Sequence, residues 1–285
     1  MSTSIAHADL RLGATYWESP VLRLAMVLLA VCGLLVLDRR PTAIFLIAGA
    51  AYLALSVAVW LIAGRGDRPW LVSQARSLFP VLLAVLLFRS FVYEPFRIPS
   101  ESMLPGLIDG DFILVSKFSY GLRLPLTDTL LLPTGEPRRG DVIVFRSPSE
   151  PDVNLIKRLV GLPGDHVAVR SNQVFINGVP MPLRPDGRYA GGFGFNGSPL
   201  VQERFGSSAH ELLLASQRFA TDFDGVVPSG RYFFMGDNRN DSEDSRFEDV
   251  GFVPRENLIG HAVRIWMSWQ IPGRPKWRRI GMRIQ

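Results

Sequence analysis

The sequence predicts a mainly antiparallel β domain that follows two or three N-terminal transmembrane helices. Hydrophobic residues make up 47% of the 285-residue chain and are concentrated before residue 93. The mean hydropathy of +0.17 is high for a soluble protein. Beyond residue 93, short β-rich segments alternate with turn residues, and no long segment has convincing helical periodicity.

Three apolar segments form the candidate membrane anchor, residues 1–93. They cover residues 21–37, 42–63 and 71–93, and a helix needs about 20 apolar residues to cross a bilayer. Residues 42–63 carry no charge and meet this requirement. The first segment is short, and the third contains Arg76 and Arg89, whose long side chains can reach the membrane interfaces. The predicted number of spans is therefore two or three.

The charges predict the orientation of this anchor and the class of partner. Residues 1–93 carry eight arginines and four acidic residues, whereas the rest of the chain is nearly neutral. The positive-inside rule places the N-terminus in the cytoplasm and the region after residue 93 outside. A nearly neutral exported region argues against nucleic-acid binding. Cys32 is the only cysteine, so no disulfide can form within the chain.

Turn signals divide the exported region into strands. Gly-Asp pairs at 110–111, 140–141, 164–165 and 236–237 favour turns. The predicted strands are residues 112–115, 142–145, 167–169, 231–235 and 262–266, and an Asn-Gly turn predicts a hairpin over 174–179. We assign residues 94–182 and 231–285 to a β core. Residues 183–230 form an inserted β or loop subdomain, in which a short helix is predicted within 202–220.

Two serines lie on a short segment between Pro99 and Pro105, just beyond the third apolar segment. Proline disfavours both a helix and a central strand, so we predict a stiff extended segment here. Alternate residues of an extended chain share a face, which predicts that the Ser100 and Ser102 hydroxyls lie side by side. Any serine-rich turn has a similar composition, so catalysis is indicated only if a base lies nearby.

Histidine is the usual base for a serine nucleophile. The chain has four histidines: His7, His166, His210 and His261. His7 lies on the cytoplasmic side of the predicted anchor. The other three are explained more simply as surface or turn residues.

Lysine is the stronger candidate because the chain uses it so rarely. Of 31 basic residues only three are lysines, namely Lys117, Lys157 and Lys276. Burial lowers the pKa of lysine, whereas arginine stays charged in a protein. Lys157 lies among apolar residues on a predicted strand, with Arg158 on the opposite face. Lys117 also has apolar neighbours, whereas Lys276 belongs to a basic C-terminal segment.

Three sequence blocks together resemble the bacterial type I signal peptidases, also called leader peptidases. The first block comprises residues 99–105 and 110–115, the second 139–145 and 156–165, and the third 235–246 and 251–254. The match covers most of residues 90–265. It implies a Ser/Lys dyad in a signal-peptidase-like catalytic β domain behind a membrane anchor, and it favours Lys157 over Lys117 as the base.

The resemblance implies a role for ten residues. Ser102 matches the nucleophile and Lys157 the general base, and Ser100 matches the hydroxyl that joins the Ser102 amide in the oxyanion hole. The other matches are Ser242, which orients the lysine amine, Asp244 and Arg246, which form a supporting ion pair, and Phe96, Ile98, Met103 and Ile156, which line pockets for alanine-like side chains. No metal or cofactor is implied, and Glu101 has no role in this scheme.

The implied function is a membrane-bound serine endopeptidase of the inner membrane. It removes signal peptides of the Ala-x-Ala type from exported preproteins, and its catalytic domain lies on the outer side. One alternative is a related Ser/Lys peptidase of narrow specificity, such as a conjugation-pilin processing protease. The other is a non-catalytic, membrane-anchored β domain that binds secreted chains. Trp269 and Trp277, near basic residues, predict a contact with membrane lipid.

Overall fold

A computed structural model describes residues 84, 88–89, 91–123, 130–206, 208–214, 221–270 and 272–285. The candidate spans at 21–37 and 42–63, most of 71–93, and His7 lie outside these ranges. Among the described residues, no helix is both long enough and apolar enough to cross a bilayer. Residues 91–285 form one compact unit.

The described part of this unit is mainly antiparallel β, as predicted, and every predicted strand lies within an observed one. The strands are β1 (Tyr93–Arg97), β2 (Asp111–Ser116), β3 (Leu122–Arg123), β4 (Leu130–Leu132), β5 (Val142–Arg146), β6 (Asn154–Gly161), β7 (His166–Arg170), β8 (Gln173–Ile176), β9 (Val179–Pro180), β10 (Leu183–Arg188), β11 (Pro199–Phe205), β12 (Ser208–Leu213), β13 (Phe223–Val226), β14 (Arg231–Met235), β15 (Val253–Pro254) and β16 (Leu258–Ser268). Short 3-10 helices cover Lys117–Ser119, Arg255–Asn257 and Trp277–Arg279.

A seven-stranded antiparallel sheet forms the main body, in the order β1-β2-β16-β5-β6-β14-β15. Its inner strands are nearly continuous apolar runs, because both faces of the sheet are covered. Strand β5 is buried over its first four residues, and β6 is buried from Ile156 to Gly161. Lys157 pairs with Ile143 of β5 and therefore lies in the interior of this sheet.

The described residues contain three smaller sheets, of which the smallest pairs β3 with β4. Strands β13-β7-β8-β9 form a four-stranded sheet that includes the Asn177-Gly178 turn, with positive φ at both residues. This is the conformation that a tight hairpin turn requires. Strands β10-β11-β12 form a separate three-stranded sheet, which we call the inserted sheet. Strand β13 follows the inserted sheet in the chain but pairs with β7 of the core segment.

Two local predictions differ from the structure. A short helix is predicted within 202–220, but residues 202–205 and 208–213 belong to β11 and β12, which form a hairpin that turns at Gly206, with a φ of +60°. Residues 215–220 of that window lie outside the described residues. The 99–105 segment is a series of turns and not an extended strand, because Leu104 N donates to Glu101 O and Leu107 N donates to Met103 O. Pro99 and Pro105 are compatible with turns. Proline has no backbone N–H, and a turn does not need a hydrogen-bond donor at these positions.

Candidate active site

Lys157 and Ser102 meet in the interior of the protein. The Lys157 Nζ lies 2.6 Å from the Ser102 Oγ and forms a hydrogen bond with it. Strand β6 carries the lysine, which is only 4% exposed, and the turn after β1 carries the serine, which is 9% exposed. The structure thus brings into direct contact the two side chains that the sequence singled out as nucleophile and base.

Burial lowers the pKa of Lys157 from an ordinary value of 10.5 to about 8. Desolvation is the largest cause, because a charged amine loses its water when it enters the interior. Three carboxylates, those of Asp244, Glu243 and Asp237, oppose the shift, and the Arg246 guanidinium adds to it. A substantial share of this lysine is therefore neutral at pH values where an exposed lysine is almost wholly charged.

Ser100 lies beside the reactive pair. Its Oγ is 3.4 Å from the Ser102 Oγ, a long hydrogen bond. Within the described residues, the backbone N–H of Ser102 donates no hydrogen bond. A hydroxyl and a free amide next to an attacking oxygen are the kind of donors that stabilise a developing oxyanion.

Residues 99–105 are called the nucleophile turn after the predicted role of Ser102. The segment after β14, residues 236–246, packs directly against this turn, and we call it the site loop. Asn238 is fully buried, its backbone N–H donates to the Ser102 O at 3.0 Å, and its Nδ2 donates to the Glu101 O at 3.2 Å. Gly236 permits this approach. A Cβ at Gly236 would lie 2.6 Å from the Ser102 O and 2.2 Å from the Ser242 Oγ, closer than packed atoms come.

Asp244 and Arg246 form the ion pair that the resemblance implied. The Arg246 Nε and Nη2 donate to the two Asp244 carboxylate oxygens, each at 2.8 Å. The Gly236 N–H donates to Asp244 Oδ2 at 2.9 Å, so this carboxylate also closes the site loop on itself. The Ser242 hydroxyl is buried and makes no hydrogen bond within the described residues. Its role in orienting the Lys157 amine stays a prediction.

Asp237 belongs to one of the predicted Gly-Asp turns, and it pairs with Arg158, the neighbour of Lys157. The Arg158 Nε and Nη2 donate to Asp237 Oδ1 and Oδ2 at 2.7 and 2.6 Å, and Nη1 donates to the Gly140 O at 2.7 Å. The signal was present in the alternation of β6. If Lys157 turns inward, Arg158 turns to the opposite face, and a buried arginine there requires an acidic partner.

The four residues expected to line the substrate pockets gather in one apolar cluster. Ile98, Met103 and Ile156 are buried members of it, and Phe96 packs against it from β1. The cluster includes Met103, the residue directly after the nucleophile. The cluster consists of hydrophobic residues, so a side chain that contacts it is favoured if it is apolar and uncharged.

The other candidate bases have different partners. The Lys117 Nζ lies 3.1 Å from Glu94 Oε2 in a largely buried ion pair, and the Lys276 Nζ lies 5.6 Å from the centre of the Phe193 ring. Three histidines also contact other residues: His166 contacts Asp224, His210 contacts Glu203, and His261 packs near Tyr120.

Comparisons with known proteins point to one family. The family model described as signal peptidase, peptidase S26, matches residues 71–267. A signal peptidase I from Pseudomonas fluorescens is 44% identical over 280 residues, which is 91% of this chain and 97% of that protein. A signal peptidase I from Pseudomonas aeruginosa is 45% identical over 75% of this chain and 80% of that protein. A crystal structure of a signal peptidase I from Enterococcus faecalis is 32% identical, covers 44% of this chain and 96% of that one, and has a TM-score of 0.27.

Proposed function

The chain belongs to the signal peptidase family, peptidase S26, and we propose that it removes signal peptides from exported preproteins with Ser102 as nucleophile and Lys157 as general base. The observation that carries the proposal is the buried contact of 2.6 Å between the Lys157 Nζ and the Ser102 Oγ. An amine with its pKa lowered to about 8 can accept a proton from a hydroxyl near neutral pH.

The geometry supports the following sequence of steps. Neutral Lys157 takes the hydroxyl proton of Ser102 as the Oγ attacks the scissile carbonyl. The resulting oxyanion accepts hydrogen bonds from the Ser102 amide and the Ser100 hydroxyl. Lys157 then gives its proton to the leaving amine, which frees the mature protein and leaves an ester on Ser102. Lys157 next deprotonates a water molecule that hydrolyses this ester, and the proton returns to Ser102.

The apolar cluster of Phe96, Ile98, Met103 and Ile156 provides the substrate contacts in this proposal. Its side chains border the nucleophile turn and favour small apolar residues before the cleavage site, as in an Ala-x-Ala signal.

In the same proposal, residues 1–93 anchor the chain in the inner membrane and place the β domain on the outer side. The nucleophile turn begins six residues along the chain after residue 93. This short sequence distance suits an enzyme that cleaves a signal peptide where the peptide leaves the bilayer.

Cleavage of a preprotein with an Ala-x-Ala signal tests the proposal. Purified full-length protein should release the mature part, whereas Ser102→Ala and Lys157→Arg should reduce the rate at least about 1,000-fold, because arginine stays protonated. The matched control is Lys117→Arg, which retains a cation for Glu94 and should cleave normally. Wild-type protein that does not cleave, or a Lys157→Arg variant with the wild-type rate, contradicts the proposed dyad.

The same assay separates the alternatives. A peptidase of narrow specificity would cleave one pilin precursor and leave a panel of unrelated preproteins intact. A non-catalytic binding domain would retain the preproteins without shortening them. The contact between Ser102 and Lys157 favours a catalytic role, since a binding domain has no need for a buried lysine with a lowered pKa.

A further inference from the structure

The site loop contains a third buried ion pair whose acidic member comes from the inserted sheet. Arg239 of the loop is 1% exposed and Glu203 of β11 is 0% exposed. The Arg239 Nη1 donates to Glu203 Oε1 at 3.2 Å, and Nη2 donates to Oε2. The pair is bidentate, so it fixes both the position and the orientation of the guanidinium.

The inserted sheet also contacts the site loop through its backbone. The Leu213 N–H, at the end of β12, donates to the Asp237 O at 2.9 Å, and the Arg239 N–H donates back to the Leu213 O at 3.0 Å. Leu213 and Asn238 thereby form a parallel β-bridge. The inserted sheet is thus joined to the loop by two backbone hydrogen bonds and one ion pair.

Arg239 is also hydrogen-bonded to other residues of the site loop, close to Ser102 and Lys157. Its Nε donates to the Gly236 O at 3.2 Å, and its own carbonyl oxygen accepts a hydrogen bond from the Arg246 Nη2 at 2.7 Å. The loop residue between Asp237 and Arg239 is Asn238, whose N–H holds the Ser102 carbonyl oxygen. A displacement of Arg239 would therefore move the contact that fixes the nucleophile turn.

The charge of Glu203 is matched to that of Arg239. Burial opposes ionisation of Glu203, but Arg239 and His210 together lower its pKa to about 2, so it is a carboxylate at neutral pH. The His210 Nε2 lies 3.2 Å from Glu203 Oε2, and burial lowers the pKa of this histidine. Loss of the Glu203 charge would leave a buried guanidinium without its counterion, which is strongly unfavourable.

We propose that Glu203 and Arg239 are positioning residues for the Ser102–Lys157 dyad, and that the inserted sheet is a working part of the active site. The inference rests on the proposed peptidase function. The ion pair holds the site loop where Asn238 fixes the Ser102 turn and where Asp237 holds Arg158 beside Lys157. Neither residue touches the reacting atoms, so both act through the loop.

Steady-state kinetics of full-length Glu203→Gln test this role. We expect a fall in kcat of about 10-fold to 100-fold with KM nearly unchanged, because a small misplacement of a catalytic group costs rate and not binding. A loosened loop admits water to Lys157, so the pH midpoint of kcat/KM should move upward. Asp165→Asn is the matched control, since Asp165 pairs with Arg139 at 2.8 Å in the turn after β6 and, among the described residues, makes no hydrogen bond to the site loop. It should lower thermal stability and leave kcat and the pH midpoint unchanged.

A double variant separates positioning from simple stabilisation. Glu203→Leu with Arg239→Met replaces the buried ion pair by apolar side chains of similar size, a change that commonly preserves or raises stability. It also deletes the hydrogen bond to the Gly236 O, so kcat should stay low in a protein that is fully folded by circular dichroism. A wild-type kcat in Glu203→Gln, or a kcat restored in the stable double variant, overturns the inference. Either result leaves the proposed function intact, because that function is contradicted by different results: a wild-type protein that does not cleave, or a Ser102→Ala or Lys157→Arg variant that cleaves at the wild-type rate.

Discussion

At the scale of single residues, the pKa of Lys157 determines how the proposed activity depends on pH. Lys157 must be neutral to accept the Ser102 proton, and burial lowers its pKa to about 8. Below pH 8 the neutral fraction falls about tenfold per pH unit. We therefore expect kcat/KM to rise steeply from pH 6 and to level off above about pH 8. Initial rates on a signal-peptide substrate between pH 6 and 10 measure this. A single limb near pH 6.5 would indicate a histidine base instead.

The same lysine lowers the stability of the folded protein. Its pKa is about 8 when folded and 10.5 when unfolded, so the unfolded state binds more protons between these values and stability rises with pH across that window. The cost is complete below pH 8 and corresponds to about 3 kcal/mol. Lys157→Met should abolish cleavage and raise the free energy of unfolding at pH 7 by up to about this amount.

Urea denaturation of the full chain at pH 7 and pH 10.5 checks this stability prediction. The gain from Lys157→Met should shrink at the higher pH, where the unfolded lysine also loses its proton. Lys117→Met is the matched control, because it removes a cation that pairs with Glu94 and should therefore destabilise the protein. A Lys157→Met variant less stable than wild type at pH 7 would contradict the assigned cost of burial.

Glycine is required at position 236 because a side chain would clash with Ser102 and Ser242, and not because the backbone has a positive φ. The other three Gly-Asp pairs have glycine at positive φ, at Gly110, Gly140 and Gly164, whereas Gly236 has no such conformation. Gly236→Ala would place a Cβ 2.6 Å from the Ser102 O and displace the nucleophile turn. We expect kcat to fall about 100-fold. Gly106→Ala is the control, since its Cβ would have its nearest contact at 3.7 Å. Equal rates for the two variants would contradict this explanation.

At the scale of elements, β6 shows how much alternation alone can predict. Adjacent residues of a strand face opposite sides, and the structure places Lys157 against Ser102 and Arg158 against Asp237 on those two sides. The alternation predicted an inward lysine with Arg158 on the opposite face, turned towards either solvent or an acid. It did not predict which acid, because Asp237 lies 79 residues further along the chain and reaches β6 only through the folded site loop.

Two elements differ from their predictions for reasons of tertiary context. Residues 199–213 contain good helix formers such as Glu203, Glu211 and Leu212, but β11 pairs with β10 on one side and with β12 on the other. Long-range strand pairing overrides weak local preference. The nucleophile segment forms turns because it is held from outside, by Asn238 of the site loop.

At the scale of the whole molecule, exposed tryptophans on the C-terminal segment support the proposed contact with lipid. Trp269 is 39% exposed and Trp277 is 70% exposed, whereas Trp266 packs edge-on against Phe112 at 5.8 Å. Tryptophan beside basic residues favours the bilayer interface. Trp269→Ala with Trp277→Ala should therefore weaken the stimulation of cleavage by anionic phospholipid vesicles at least about threefold, at an unchanged rate without lipid.

The control for the lipid prediction is Val179→Ala, which alters an apolar residue of β9 that is 60% exposed. It should leave the stimulation unchanged. The prediction fails if vesicles stimulate cleavage by the tryptophan variant and by the valine variant to the same extent. The stimulation would then not depend on Trp269 and Trp277.

The sequence by itself predicted the β class of the region after residue 93 and about half of its strands, from turn residues and alternation. It also reduced the candidate bases to a few rare lysines, whereas the choice of Lys157 as the partner of Ser102 rests on the resemblance to the signal peptidases. Only the tertiary structure decided how the pair is supported. The counterion of Arg158, the hold of Asn238 on Ser102 and the link from Glu203 to Arg239 join residues far apart in the chain. Such pairings depend on which buried charges meet when the sheets pack, and no local pattern encodes that choice.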